Sequence, residues 1–409
     1  MSRKGFIAAM EDIDELNADG TDAQVEVPAE VEAESAAVQE ESDDIDDEVQ
    51  ALEDATEAAD ELEAMTDVAE RAEEEGEGLD PVAAEVTEVA VESIYARLGI
   101  ERKAVPSMES FGSANTRKQA TRIAIEDWKE SLKKFWEAVK SFFKNLYEKI
   151  KSFISRIINF FMSIEKVAKR MKTRVEALPA EHTAKEAEFE NKAVKKGFGH
   201  AGEGAAGVLA VLAGQQGMTN RLTDVARSIS QTLLTGNGPT VSDEKFTNAD
   251  LKDIASDKYK LFNNTTVKVE EKDGTVEVKV DEDKNGGEGK VKTLSKEDML
   301  KICTTAERYG KDVAIAKKLI EEQDKITKAV TKAADNMIRL TAKEMEKGDD
   351  KSATDTAKKA GKSIVSAGKS LTKVENVVLS LNAKAGKAAL NYVAASLAQY
   401  GEKKKDEKK

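Results

Sequence analysis

Trp128-Lys129-Glu130-Ser131-Leu132-Lys133-Lys134-Phe135-Trp136-Glu137-Ala138-Val139-Lys140-Ser141-Phe142-Phe143-Lys144-Asn145-Leu146-Tyr147 is the stretch on which the fold turns. It belongs to a longer series: Ile125, Trp128, Leu132, Phe135, Val139, Phe142, Leu146, Ile150, Phe153, Ile157, Phe160, Ile164, Val167, Met171, Val175 and Leu178. These follow one another in steps of three or four, which keeps one side of an α-helix apolar. Trp136, Phe143, Tyr147, Ile154, Ile158 and Phe161 widen that stripe beyond the narrow seam of a two-stranded coiled coil. Between residues 117 and 178 there are 16 basic and 7 acidic side chains, mostly on the opposite face. The bland reading is a core helix of a bundle with solvated lysines. The competing reading is a helix that meets a membrane interface or a partner through Trp128, Phe135, Trp136, Phe142, Phe143, Tyr147, Phe153 and Phe160, because Lys and Arg opposite Trp and Phe suit an anionic surface.

Outward from this helix the chain keeps a helical character with one interruption. Ser113 to Thr121 offers several N-caps for its start, and Pro179 stops it. Residues 181–235 alternate helical and glycine-interrupted pieces up to the loop Gly236-Asn237-Gly238-Pro239. From Thr265 to Asp281 the period changes to two: Val267 and Val269, then Val276, Val278 and Val280, flank Asp273-Gly274, which predicts a β-hairpin. Helix resumes from Ser295, with Asp298 as an approximate capping partner, to about Lys347. It continues from about Ser352 to Gln399 before a charged tail. The expected class is mainly α: long amphipathic helices in a bundle with a small β-hairpin insertion, preceded by a disordered acidic N-terminal leader. The parts are a leader (1–109), the aromatic and basic helix (110–178), a Gly-interrupted helical region (179–239), the hairpin insertion (240–294), C-terminal helices (295–400) and the tail (401–409).

Charge divides the chain more sharply than any other property. The net charge of −15 combines residues 1–109, with 6 basic and 35 acidic side chains (net −29), and a remainder with 57 basic and 43 acidic ones (net +14). Acid clusters such as Asp43-Asp44-Ile45-Asp46-Asp47-Glu48 predict a leader that repels itself and stays unfolded. The spacing of Val49, Leu52, Ala59, Leu62 and Met65 still permits one transient helix. The leader reads either as a solubilising tail or as a neutraliser of the basic body in cis. The sign changes across Ala104-Val105-Pro106-Ser107-Met108-Glu109-Ser110-Phe111-Gly112-Ser113.

No catalytic centre is recognisable. Cys303 is the single cysteine and His182 and His200 the two histidines, which supports neither a disulfide nor a structural zinc site and indicates no oxidising compartment. Gly197-Phe198-Gly199-His200-Ala201-Gly202 fits G-x-G-x-x-G, but the polar Asn191–Lys196 before it is no buried strand, so the dinucleotide reading fails. Ala-Gly-Lys-Ser occurs at 360–363 and again at 367–370; the glycine spacing is wrong for a P-loop, and a seven-residue repeat of small residues predicts close helix packing instead. The expectation is a non-enzyme without cofactor, metal, secretory leader or transmembrane anchor. Lysines spread along helices, with no recognition-helix or zinc-finger pattern, predict sequence-independent contacts to double-stranded DNA.

This layout resembles that of the internal-head, or inner-body, proteins of giant phiKZ-like tailed phages. The resemblance implies a virion component whose N-terminal propeptide is removed by a phage prohead protease that cuts after a small residue, any residue and Glu. Ser107-Met108-Glu109 fits, with the cut before Ser110. Ser163-Ile164-Glu165, Ser242-Asp243-Glu244 and Ser295-Lys296-Glu297 fit the same rule, but only residues 107–109 coincide with the change of charge and a Pro/Ser/Gly setting. The implied partners are that protease, capsid or scaffold core proteins and the packaged genome. A membrane surface and further copies of the chain complete the expected partners, and the expected locations are the capsid interior and the host cytoplasm during assembly or after ejection. The alternatives are a membrane-active effector using helix 121–178 and a cytoplasmic helical scaffold with an acidic tail.

Overall fold

The computed structural model describes residues 29–98, 111, 113–180, 182–235, 258–272, 275–281, 289–345 and 351–401. Its central element is α3 (Ala114–Glu176), the aromatic stretch, a single helix of 63 residues. Ser113 caps it by accepting a hydrogen bond from the Thr116 amide, and the helix ends just before Pro179. Before it come α1 (Ala29–Glu74) and α2 (Pro81–Leu98); after it come the short α4 (Lys192–Phe198) and α5 (Gly204–Thr235). The C-terminal half supplies α6 (Lys296–Ala306), α7 (Tyr309–Met345) and α8 (Lys351–Ala398). α3 packs most extensively against α7 and α1 and also meets α6 and α8.

The wide stripe of α3 is the core. Phe153, Ile154, Ile157, Phe160, Phe161 and Ile164 are each at most 1 % exposed. Trp128, Phe135, Trp136 and Phe143 are buried as well, while Phe142 and Tyr147 are half-buried. Of the two readings of this face the core one holds, and the competing membrane or partner face through Trp128 to Phe160 is corrected, because neighbouring helices of the same chain already remove it from water. Burying one such side chain is worth roughly 1.5–3 kcal/mol. No described helix is long and apolar enough to cross a membrane.

The strands are accessory. β3 (Thr266–Lys272) and β4 (Thr275–Asp281) form the expected hairpin, with Val267 opposite Val280 and Val269 opposite Val278. Its buried Val267 and Val278 join the main core, and β4 leans on α8, as a two-stranded ribbon must lean on something to persist in water. Two further antiparallel pairs tie distant segments: β1 (Thr183–Ala184) with β6 (Tyr400–Gly401), and β2 (Glu188–Glu190) with β5 (Lys290–Lys292).

Two expectations need correction. The helix foreseen from Ser295 to about Lys347 is broken after Ala306, where α6 stops and α7 restarts at the buried Tyr309. Ser295 does cap α6, accepting from the Asp298 amide and donating to its carboxylate. More consequentially, residues 29–74 and 81–98 of the leader, expected to be disordered, are helices packed on the body. Repulsion among the leader's carboxylates is met by opposite charge on the body, and most of the large aliphatic residues of 29–74 fall on one buried seam, while Val68, Val82, Val86 and Val89 stay exposed.

The interior also holds a carboxyl group. Glu375 on α8 lies between helices, hydrogen-bonded by the Gln323 amide of α7, with Glu322 nearby. Burial pushes its carboxyl up to about 8. A folded-state value above the ordinary one means stability that is complete below the ordinary value and lost as pH rises through the folded one. The melting temperature should therefore fall between about pH 5 and about pH 8.5, and Glu375→Gln should flatten that slope; identical slopes for the two proteins in thermal scans would refute the assignment.

Candidate functional site: an acidic helix seated on a cationic groove

α1 carries 20 acidic residues and one basic residue, Arg71. Its apolar side chains are sparse but regular. Val31, Val38, Ile45, Leu52 and Ala59 recur every seven residues, with Val49, Leu62 and Ala69 beside them, and all are 5 % exposed or less. Ser42 and Thr66 share this buried line. A seam of period 3.5 presents the same side to a neighbour along the whole helix, so an overwhelmingly acidic sequence still has a dry face.

That face lies in the groove between α3 and α8. Along α3, Glu70 pairs with Lys129 at 2.5 Å, Glu48 with Lys149, and Glu41 with Arg156 at 2.5 Å, Ser152 donating to the same Glu41 oxygen at 3.1 Å. Along α8, Glu63 pairs with Lys358 at 3.0 Å and with Lys362, Asp60 with Lys362 at 2.7 Å, and Glu53 with Lys369 and Lys373 at 3.5 and 3.7 Å. The Asn376 amide donates at 2.8 Å to both the Ser42 carbonyl and Asp46. Numbers fall on α1 as they rise on both partners, so α1 runs antiparallel to a parallel pair. From Glu41 to Glu70 the ladder spans about 45 Å at 1.5 Å per residue.

Electrostatics within the ladder are uneven. Burial pulls the Glu63 carboxyl up, but Lys362 and Lys358 outweigh it and hold it below the usual range. Burial likewise works against the Lys362 ammonium, and Glu63 and Asp60 overcome it and raise its value. Lys369 is the reverse case: burial lowers it, and Glu53 at 3.5 Å does not fully compensate. Lys149 and Arg156 are about half exposed, and such screened pairs contribute at most about 1 kcal/mol each. The gross apolar contribution of Val31, Val38, Ile45, Val49, Leu52 and Leu62 is on the order of 10 kcal/mol. The seam thus provides most of the hold, and the charges set orientation and register.

α2 closes the N-terminal end of this assembly. Its Tyr95 hydroxyl donates to Asp127 of α3 at 2.8 Å and accepts from Ser131 at 2.9 Å. The Leu79 amide donates to Thr121 at 2.9 Å. Gly78, with φ +70°, allows this approach: a Cβ there would lie 2.8 Å from the Thr121 hydroxyl and 2.9 Å from the Arg117 carbonyl. Arg97 returns to Glu61 of α1.

The Ala-Gly-Lys-Ser repeat has two jobs in this site. A Cβ on Gly361 would meet Met337 at 2.7 Å, and one on Gly368 would meet Val330 at 2.9 Å, so the glycines let α8 approach α7 closely. The adjoining Lys362 and Lys369 point the other way, to the carboxylates of α1. The repeat predicted the packing but not the lysines' partners. Ser107, Met108, Glu109 and Ser110, the expected cut, lie outside the described residues. Among the described residues no cluster of His, Cys, Asp or Glu is placed to hold a metal. Cys303 is buried, and burial pushes its thiol up to about 12.

Asp46 is the ladder's strained member. Burial pushes its carboxyl up to about 6, against the Asn376 hydrogen bond and the Lys373 charge. The stability tied to it is present below the ordinary carboxylate value and lost as pH rises through about 6. Asp46→Asn keeps an acceptor for Asn376 and removes the buried charge, so it should stabilise the protein by about 1–2 kcal/mol at neutral pH and by nothing near pH 4. Denaturant titrations at the two pH values check this; an equal gain at both, or none at either, would contradict it.

No curated protein and no solved structure matches the chain. The sequence pattern of the phiKZ-like phage internal head proteins does, over residues 11–395. That match takes in the acidic leader, the central helix and the C-terminal helices alike, and the chain belongs to the family of phiKZ-like phage internal head proteins.

Proposed function

We propose that this protein is a non-enzymatic structural component of the phage head interior, synthesised with its cationic surface covered by its own leader and matured by a cut after Glu109. The observation that carries this reading is the α1 ladder. Lys129, Lys149, Arg156, Lys358, Lys362, Lys369 and Lys373 all meet leader carboxylates. In a family whose members reside inside the head, loss of the leader turns a −15 chain into a +14 body, in a compartment filled with phosphate. Those lysines then gain phosphate partners without regard to base sequence. During assembly the leader keeps the body off nucleic acid and offers an acidic surface to capsid or scaffold core proteins. Packaging beside the genome places the body to leave with it into the host.

Two outcomes follow. Peptides from purified particles should include one that begins at Ser110, and mass spectrometry finding only chains intact from Met1 would end the processing claim. The body freed of its leader should bind duplex DNA with an affinity that falls steeply with salt, several powers of ten between about 50 and about 200 mM. The full-length chain should bind at least tenfold more weakly at low salt. Equal affinities in a filter-binding or anisotropy titration would remove the masking role.

A further inference from the structure

The described holds on the leader run from Val31 to Leu98, ahead of the junction. The fully buried seam of α1 ends at Ala69, the ion pairs to the body run from Glu41 to Glu70, and α2 with the turn before it is fixed through Leu79, Val91, Ile94 and Tyr95. None of these contacts needs an unbroken chain between Leu98 and Phe111. A cut there removes a covalent tether and no non-covalent contact among the described residues.

We infer that the groove between α3 and α8 is a helix-binding site that works without the tether: it retains the leader helix Ala29–Glu74 after the junction is severed, and accepts the same helix from a second copy of this chain. The ligand class is an acidic helix with aliphatic residues every seven positions, which the groove reads in two ways. Its apolar floor takes the line Val38, Ile45, Leu52 and Ala59. Its two rims take carboxylates on either side of that line: Lys129, Lys149 and Arg156 on one, Lys358, Lys362, Lys369 and Lys373 on the other. A nucleic-acid duplex satisfies the rims but offers nothing to the floor, so it competes poorly with the leader. Severing and release are then separate events, and DNA binding by the body waits for the leader to leave or to be destroyed.

The role in maturation rests on the function proposed above; the retention itself does not. It can be tested on the full chain carrying a site for a specific protease in place of residues 104–109, folded intact and then cut. At about 0.1 M salt the leader fragment should co-elute with the body in equal amounts on size exclusion. A fluorescent peptide of residues 29–98 should enter the complex and displace the unlabelled leader. The nicked complex should bind DNA no better than the uncut chain. Leu52→Asp should weaken retention at least tenfold. Glu53→Lys should weaken it as well, and pairing it with Lys369→Glu and Lys373→Glu should restore most of the loss, an outcome that misfolding would not give. Separate elution of leader and body straight after the cut, with the body's helical circular dichroism unchanged, would overturn the inference. So would retention indifferent to both Leu52→Asp and Glu53→Lys. Retention in a protein that never binds DNA would sustain the site while removing the proposed unmasking.

Discussion

A helix of 63 residues that is apolar around much of its circumference cannot be covered by one neighbour. The architecture follows from that constraint. α7 lies along one side of α3 and α1 along another, with α6 and α8 filling further contacts. The aromatic residues inside, Phe153, Phe160 and Phe161 among them, are as dry as any in the molecule. The leader is therefore part of the wall around α3, although its composition is that of a segment too acidic to fold alone.

Charge settles which helix can occupy that part of the wall. α3 and α8 both present lysines beside their apolar residues, and an uncharged or basic helix would bury those lysines without partners. Burying an unpaired ammonium costs far more than a screened ion pair returns. An acidic helix with a narrow aliphatic seam meets both requirements. The ladder is imperfect: Lys369 is held below its ordinary value by burial, and Asp46 above its own. These are the positions at which the contact gives up stability while keeping its register.

This arrangement changes how a severed leader behaves. An unfolded polyanion attached through a flexible joint would drift away once the joint was cut, because only its concentration near the body kept it there. A seated helix holds by buried area and shape, and those survive the cut. If the leader is cut as proposed, covering by a folded helix would separate the moment of proteolysis from the moment at which the basic surface is bared.

The helical class, the place of the central helix, the hairpin and the opposition of an acidic leader to a basic body are legible in the order of residues alone. All four are local patterns or simple sums: a stripe of period near 3.6 from Ile125 to Leu178, alternation around Asp273-Gly274, and a count of charges. The seven-residue recurrence of Ala-Gly-Lys-Ser also stood in the chain and pointed to packing, whereas the run Val49, Leu52, Ala59, Leu62 and Met65 permitted no more than a transient helix. That the leader is folded, which of the two readings of the aromatic stripe holds, and that Lys362 and Lys369 look toward Asp60, Glu63 and Glu53 emerge only once the helices are packed together. The reason is physical. The seam on α1 is too sparse to stabilise a helix in water and becomes sufficient only when α3 and α8 remove it from solvent and offset its charge, and that partnership joins residues hundreds of positions apart, such as Ser42 and Asn376.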